Sequence, residues 1–586
     1  MSASDAAHEV RVKRVRSIYL RRKHPVPVDS AITRTPLEEY TVKTNRKALA
    51  ALSIVAASAL ALTACSSGSK DSGNESGSGD AAAAVITTNG TEPQNPLIPS
   101  NTTEVGGGKI INLIFAGLTS FDASGAPQMD QAESVTPNAD NTQYTVKLKE
   151  GLKFTDGTPV TADSFIKAWT WSAKLGNAQS ASYFFDNIKG YNAEKDAELT
   201  GLKKVSDTEF TVDLINPESD FTKRIGYSAF VPLPESFYKD TKAFGESPVG
   251  NGSYKLASEK AWTHNKGIEL VTNPDYKGAR VAKNGGVNIT FYTNEDAAYA
   301  DVQGQNLDVL DTVPASALKN YESDFPDSKT NKAAAVFQSF TIPQYLEHFK
   351  PGEEGQLRRQ ALSLAIDRDT ITDKIFQGTR QPAKDFTSPA LEGWETWGKT
   401  VAGNDVFSLN VEKAKELWAK ADAISKYEGK FTISYNADGP HEEWVTAVTN
   451  SLKQNLGIEA EPKAYASFKQ LLDDENNDKM TGAFRSGWQA DYPAMYNFLA
   501  PLYQTGASSN YGRYTSKVVD NALKAGSAAK TPEEATAEYT KAQAELVKDL
   551  PAIPLWYQNV TGVWNPDVKN VEFGWDSVAL YHEITK

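Results

Sequence analysis

An α/β fold follows from three observations on the 586-residue chain. Short runs alternate apolar and polar residues at period two, as half-buried strands do. Longer segments repeat their apolar residues at spacing four between helix start and stop signals, and the two patterns follow one another along the chain. A content of 40% hydrophobic and 23% charged residues suits a large soluble protein of two or three domains with a sizeable core.

The segment AAAVITTNG predicts a first strand, followed by a Pro/Asn-rich loop. The glycine run in VGGGKI lacks phosphate-loop spacing and is expected to form a turn. Tyr144, Val146 and Leu148 alternate as a strand, Asp156-Gly157 marks a turn, and Thr161 starts a helix from about Ala162. Phe210, Val212 and Leu214 repeat the alternation. Trp444, Val448, Leu452 and Leu456 define a core-facing helix that stops at Gly457. A last helix opens with Thr531 as N-cap, Pro532 at its first position and Glu534 completing a capping box, and ends before Pro551. No internal repeat interrupts the body.

The N-terminal region reads as targeting. Arg46 and Lys47 precede an apolar run from Ala48 to Leu62, which ends in Leu62-Thr63-Ala64-Cys65. This arrangement resembles a bacterial lipoprotein signal over residues 42–64, in which Cys65 is lipidated and becomes the new N-terminus. Cys65 is the only cysteine, so no disulfide, cysteine-ligated zinc or cysteine nucleophile is expected. Residues 65–84 are rich in Gly and Ser, with no apolar residue larger than alanine after Cys65, and are expected to form a flexible tether. The basic segment 1–41 fits a misplaced start, with Val42 as a GTG initiation codon.

Removal of residues 1–64 takes away 11 basic and 5 acidic residues and moves the formal charge from −13 to −19. A body this acidic excludes nucleic acid and anionic membrane surfaces as partners, since both need a basic face. Four histidines remain, His264, His348, His441 and His582, without metal-binding spacing, and no nucleophile motif accompanies them. Neither enzyme activity, a metal nor a cofactor is expected.

One acid stands apart. SGWQADYPAMYNF places Asp491 among Trp488, Tyr492, Tyr496 and Phe498. An ionised carboxylate in such company is half exposed or paired with a cation, either a structural arginine or a ligand.

Five segments in order resemble the peptide-binding family of solute receptors for ABC importers, the oligopeptide-binding branch in particular. They are LKEGLKFTDGTPVTADSFIKAW, SPVGNGSYKL with ELVTNPDYKGA, LRRQALSLAIDRDTI, SGWQADYPAMYNFL and LPAIPLWY, spread from about residue 86 to 575. The resemblance implies a three-lobed periplasmic-binding-protein-like fold with two hinge crossovers. Lobe I would comprise 85–130, 245–333 and 551–586, lobe II 131–244 and lobe III 334–550, closing around the ligand. It implies that Asp491 pairs with the α-ammonium of a short peptide. Arg485 and His441 would meet peptide carboxylates, and Trp488 and Tyr183 would wall the pocket. The partners implied are short peptides, a membrane ABC permease and, through Cys65, the outer face of the cytoplasmic membrane, with the receptor a monomer. Ala494-Met495 stands where the family often has an acid followed by proline, and LLDDENNDKM carries no basic residue before Lys479. Both differences bear on peptide length. Relatives of the same fold bind oligosaccharides or nickel and haem, the alternative ligand classes.

Overall fold

The computed structural model describes residues 83–586, except 438, 467 and 508. The chain divides into Met1–Gly77 and Ser78–Lys586. The expected extension, the signal segment, Cys65 and nearly all of the tether lie outside the described residues.

A mixed 12-stranded sheet runs through the described body. Its main path, edge to edge, is Ala460–Tyr465, Phe431–Asn436, Ala483–Gln489, Lys329–Thr341, Ala552–Trp564, Val309–Leu310, Val85–Gly90, Gly286–Phe291, Gly267–Thr272 and Tyr254–Leu256. The two central strands are 13 residues each and pair antiparallel. That length lets them serve two halves of the molecule. Near one end Ala552–Trp564 meets Val309–Leu310, and at the other Lys329–Thr341 meets Ala483–Gln489. Between these ends the ladder slips, from Ala333 to Phe337 and again from Gln338 to Ser339, where the sheet bends and twists.

A separate antiparallel sheet runs Ala132–Pro137, Gln143–Leu148, Glu209–Asp213, Leu202–Ser206. Its alternation is the one the sequence shows: Tyr144, Val146, Leu148, Phe210 and Val212 are buried, facing Phe165 and Trp169 of the helix Ala162–Ala173. Each large apolar side chain so buried contributes about 1.5–3 kcal/mol. Thr161 starts that helix, with its N–H donating to Ser164 Oγ at 3.1 Å.

The helix Glu442–Leu456 buries Trp444, Val448 and Leu452 and ends at Gly457, whose φ of +74° suits a residue without a Cβ. The helix Pro532–Asp549 is capped by Thr531. The expected capping box is shifted by one residue: Glu534 Oε2 accepts from the N–H of Lys530, not of Thr531.

VGGGKI corrects the expectation of a turn, because it opens the helix Val105–Ile114. Burial of Ile110, Ile111 and Ile114 outweighs the low helix propensity of glycine. The glycines are needed for close approach: a Cβ on Gly106 would fall 2.1 Å from Thr91 Oγ1, and one on Gly107 2.3 Å from Thr102 Cγ2.

Two large apolar cores result. One unites the four-stranded sheet with the half containing Val85–Gly90, and the other fills the half containing Phe337, Ile433 and Trp556. The segment around Asp491 lies on their boundary: Ala490 and Met495 belong to the second core, whereas Tyr492 and Ala494 belong to the first.

Candidate ligand-binding site

A cavity of about 290 Å³ opens where these cores meet. Its walls are the start of the helix Val105–Ile114, the strand Thr119–Phe121, the turn Gly226–Ser228, the segment Gln489–Asp491 and the C-terminal stretch 574–582.

Asp491 follows the strand Ala483–Gln489 and is held by Asn497 from the next helix, Met495–Tyr503. Asn497 Oδ1 accepts from the Asp491 N–H at 2.9 Å and from Trp488 Nε1 at 3.1 Å, and its Nδ2 donates to Asp491 Oδ2 at 3.0 Å. One buried amide therefore fixes the whole Trp-x-x-Asp loop. Among the described residues no protein group donates to the other carboxylate oxygen, Oδ1, and no cation pairs with Asp491.

The electrostatics match this isolation. Burial pushes the Asp491 carboxyl up to about 6, against the Asn497 hydrogen bond and the attraction of Arg224. Arg224 does not neutralise it, being already committed to Glu218 at 3.1 and 3.2 Å, to Asp186 at 2.5 Å and to the Phe184 carbonyl. Burial and the nearby Asp491 charge also raise the phenols of Tyr183 and Tyr227. Tyr227 lines the cavity; Tyr183, expected to wall it, does not, and this 47% exposed residue packs against Phe184 with ring centres 4.6 Å apart and planes tilted by 33°.

The expected site residues thus fall into two groups. Asp491, Tyr183 and Trp488 gather around the loop, with Trp488 bracing Asn497 rather than lining the cavity. Arg485 and His441 gather elsewhere, near Asn436 at the end of the strand Phe431–Asn436. Arg485 Nε donates to Asn436 Oδ1 at 2.8 Å and its guanidinium lies 4.5 Å from the Phe468 ring centre, while His441 Nδ1 accepts from Trp444 Nε1 at 3.2 Å. Neither Arg485 nor His441 borders the cavity.

Sequence reasoning missed Asn497, Tyr227 and Asp576, all at or around the cavity. Asn497 carried a usable signal, since an asparagine on the first turn after an acidic loop is placed to satisfy it. Tyr227 and Asp576 carried none, because they arrive from distant segments.

Asp491, fixed by Asn497, borders a cavity that lies between two cores. The profile of bacterial extracellular solute-binding proteins, family 5, middle region, matches residues 126–510. The chain belongs to this family. The oligopeptide-binding protein OppA of Bacillus subtilis is 26% identical over 530 residues, covering 87% of this chain and 94% of that protein. The dipeptide-binding protein of Lactococcus lactis is 28% identical over 504 residues, covering 80% and 88%. Among solved structures, Haemophilus influenzae OppA in complex with RPPGFSPFR superposes with a TM-score of 0.68 at 23% identity, over 86% of this chain and 99% of that one. The Escherichia coli murein tripeptide-binding protein MppA gives 0.69 at 22% identity, over 86% and 98%. At these identities the structural likeness establishes the fold, that of extracellular solute-binding proteins. Family 5 membership also gives the segments of the sequence analysis a physical meaning. Asn251 of SPVGNGSYKL bonds both backbone groups of Ala116, and Tyr276 of NPDY donates to Asp130, which Arg280 also grips.

Proposed function

We propose that this family 5 protein captures short peptides outside a bacterial membrane and hands them to an ABC importer, without bond chemistry. The observation that carries the reading is Asp491, a carboxylate whose Oδ2 is fixed by Asn497 and whose Oδ1 takes no protein donor among the described residues, on the edge of a cavity between two cores. An α-ammonium placed there gives a charge-assisted bond of about 1.5–3 kcal/mol and sets the register of an extended chain. Main-chain groups of the peptide then pair with backbone, which reads no side-chain identity. Relatives named for oligopeptides and dipeptides support the ligand class.

In this reading lobe I is 85–130, 245–333 and 551–586, lobe II 131–244 and lobe III 334–550. The strands Lys329–Thr341 and Ala552–Trp564 act as the hinge. Trp488 orients the Asp491 loop and Tyr183 covers it. Arg485 is assigned to the carboxyl end of a short peptide and His441 to that of a longer one. Cys65 anchors a monomeric receptor by its lipid, so Cys65→Ala should release the protein from membranes; unchanged retention would reject the anchor.

The decisive experiment is a calorimetric cycle. A tripeptide and its N-acetylated form are titrated into the protein and into Asp491→Asn. Each single change should weaken binding about 100- to 3000-fold, the equivalent of about 3–5 kcal/mol for an uncompensated buried charge. The double change should cost much less than the sum. Full additivity, or no loss on acetylation, would make Asp491 a structural acid.

A further inference from the structure

The cavity holds a second carboxylate for which the peptide reading so far gives no use. Its lining contains two side-chain cations, Lys109 and Arg280, and both are spent inside the protein. Lys109 is salt-bridged to Asp311 and donates to the Asn89 carbonyl at 2.9 Å, and Arg280 bonds Asp130 at 3.1 Å and the carbonyls of Asn112 and Phe115. His582 is kept neutral, pushed down to about 4 by burial and by Arg280. Of the lining acids, Asp122 accepts from Ser124, Ala126 and Gln128, and Glu104 from the Gln94 N–H. Asp576 differs. Its carboxylate accepts the Val578 N–H at 3.1 Å and its own backbone N–H; the charges of Lys332 and Lys109 attract it, but among the described residues no side chain forms a hydrogen bond or ion pair with it.

Asp576 and Asp491 border the same cavity, and their neighbours share a support. Trp575 meets Phe121 edge to face with ring centres 5.5 Å apart. The hairpin that carries Phe121 turns at Gly125, where a Cβ would lie 2.8 Å from Pro493 and 3.4 Å from Trp575. Each acid therefore sits one or two residues from a contact with the same turn, and both face the same cavity. The strand leading into this hairpin contributes an independent sign of a polar ligand. Ser120, 7% exposed, lines the cavity, and its Oγ has no partner among the described residues.

We propose that Asp576 receives the positively charged side chain of a lysine or arginine at the first or second position of the peptide whose amino end Asp491 holds, so that the receptor selects peptides with a basic start. The inference rests on the peptide reading. Burial raises the Asp576 carboxyl to about 6, against its backbone hydrogen bonds and the attraction of Lys332 and Lys109, and a cation bound between it and Asp491 would offset the remaining cost of ionising both acids. Ser120 Oγ is placed to accept from the same ligand.

The test compares Lys-Ala-Ala and Ala-Lys-Ala with the same tripeptides carrying norleucine, which keeps the length of the lysine side chain and removes its charge. Isothermal titration of the purified protein should show at least one lysine peptide binding about tenfold or more tighter than its norleucine partner. In Asp576→Asn that ratio should collapse to about one, whereas in Asp576→Glu it should persist. Equal affinity for both peptides of each pair overturns the inference and leaves the peptide reading standing, as does a lysine preference that survives in Asp576→Asn. If none of the four peptides binds, the peptide reading itself fails and this inference falls with it. If the Asn variant does not fold, Asp576→Ser takes its place in the same comparison, and equal wild-type affinity within each pair overturns the inference by itself.

Discussion

Two regions of the half built on Lys329–Thr341 bury charge, and they treat it in opposite ways. In the helix pair Glu353–Leu364 and Arg368–Lys374, Arg358, Arg359 and Arg368 are at most 2% exposed. Each is closed by the protein. Arg368 donates to the carbonyls of Pro554, Ser363 and Phe407 and to Ser363 Oγ, Arg359 to the carbonyls of Asp549 and Phe349, and Arg358 meets Glu354 and Asp422 and stacks on Trp418. At Asp491 a neutral amide holds one oxygen and the other is left to the cavity. A motif charge met by the protein's own carbonyls, acids and rings is architecture. One left half-answered at a cavity is open to a ligand.

The largest effect that sharpens this contrast is on the architectural side. Arg368→Met should strand three buried carbonyls and cost about 3–5 kcal/mol of stability, at about 1–3 kcal/mol per orphaned group with partial relaxation. Arg368→Lys should rescue little, because an ammonium lacks the planar fork that reaches Pro554 and Phe407 together. Urea unfolding followed by tryptophan fluorescence measures both. A variant that folds should keep its peptide affinity within about twofold; a large affinity loss without destabilisation would break the comparison.

Asp491→Asn should do the reverse, weakening ligand binding while stabilising the fold. The sign follows from linkage. The folded carboxyl lies at about 6 and the ordinary value is 3.8, so below about pH 4 the proton is bound in both states and costs nothing. As pH rises from there through 6 the wild type loses stability, up to about 3 kcal/mol for two units at 1.36 kcal/mol each, with solvent reducing the figure. The Asn variant should escape that loss. Unfolding curves of the two proteins should diverge between pH 4 and 6 and run parallel above; coincidence across the range would mean that the carboxylate ionises freely.

These contrasts also explain what was legible in the sequence. The alternating strands around Tyr144 and Phe210 and the helix ending at Gly457 were legible because local pattern and tertiary burial agree there. VGGGKI was misread because glycine propensity points one way and the burial of Ile110, Ile111 and Ile114 the other. Asp491 was legible through its motif, but its isolation was not, since that depends on Arg224 being committed to Glu218 and Asp186 in a distant segment. Asp576 was silent for the same reason: only the fold brings the C-terminal stretch against the hairpin at Gly125.

A smaller effect tests the open valence directly. Protonation of Asp491 removes the charge that an α-ammonium answers, so peptide affinity should fall about tenfold for each pH unit below 6 and level off above it. The same titration on Asp491→Asn, with a peptide that carries no basic side chain, should lose most of the break near pH 6; what remains is the share of Asp576. A wild-type profile without a break there would separate the acid from the ligand.

The smallest effect asks whether Asn497 tunes the acid or merely holds the loop. Its amide bond favours the ionised carboxylate, so Asn497→Ala should raise the Asp491 carboxyl further, by about one unit for the loss of a hydrogen bond to a charge, and carry the break in the pH–affinity profile upward with it. The variant also frees Trp488 Nε1, and some loss of thermal stability is expected on that account alone. A purely structural role would lower the melting temperature and leave the break at its original pH. A tuning role moves the break whatever happens to the melting temperature, because the midpoint reports the balance between the charged and neutral carboxyl in molecules that are already folded.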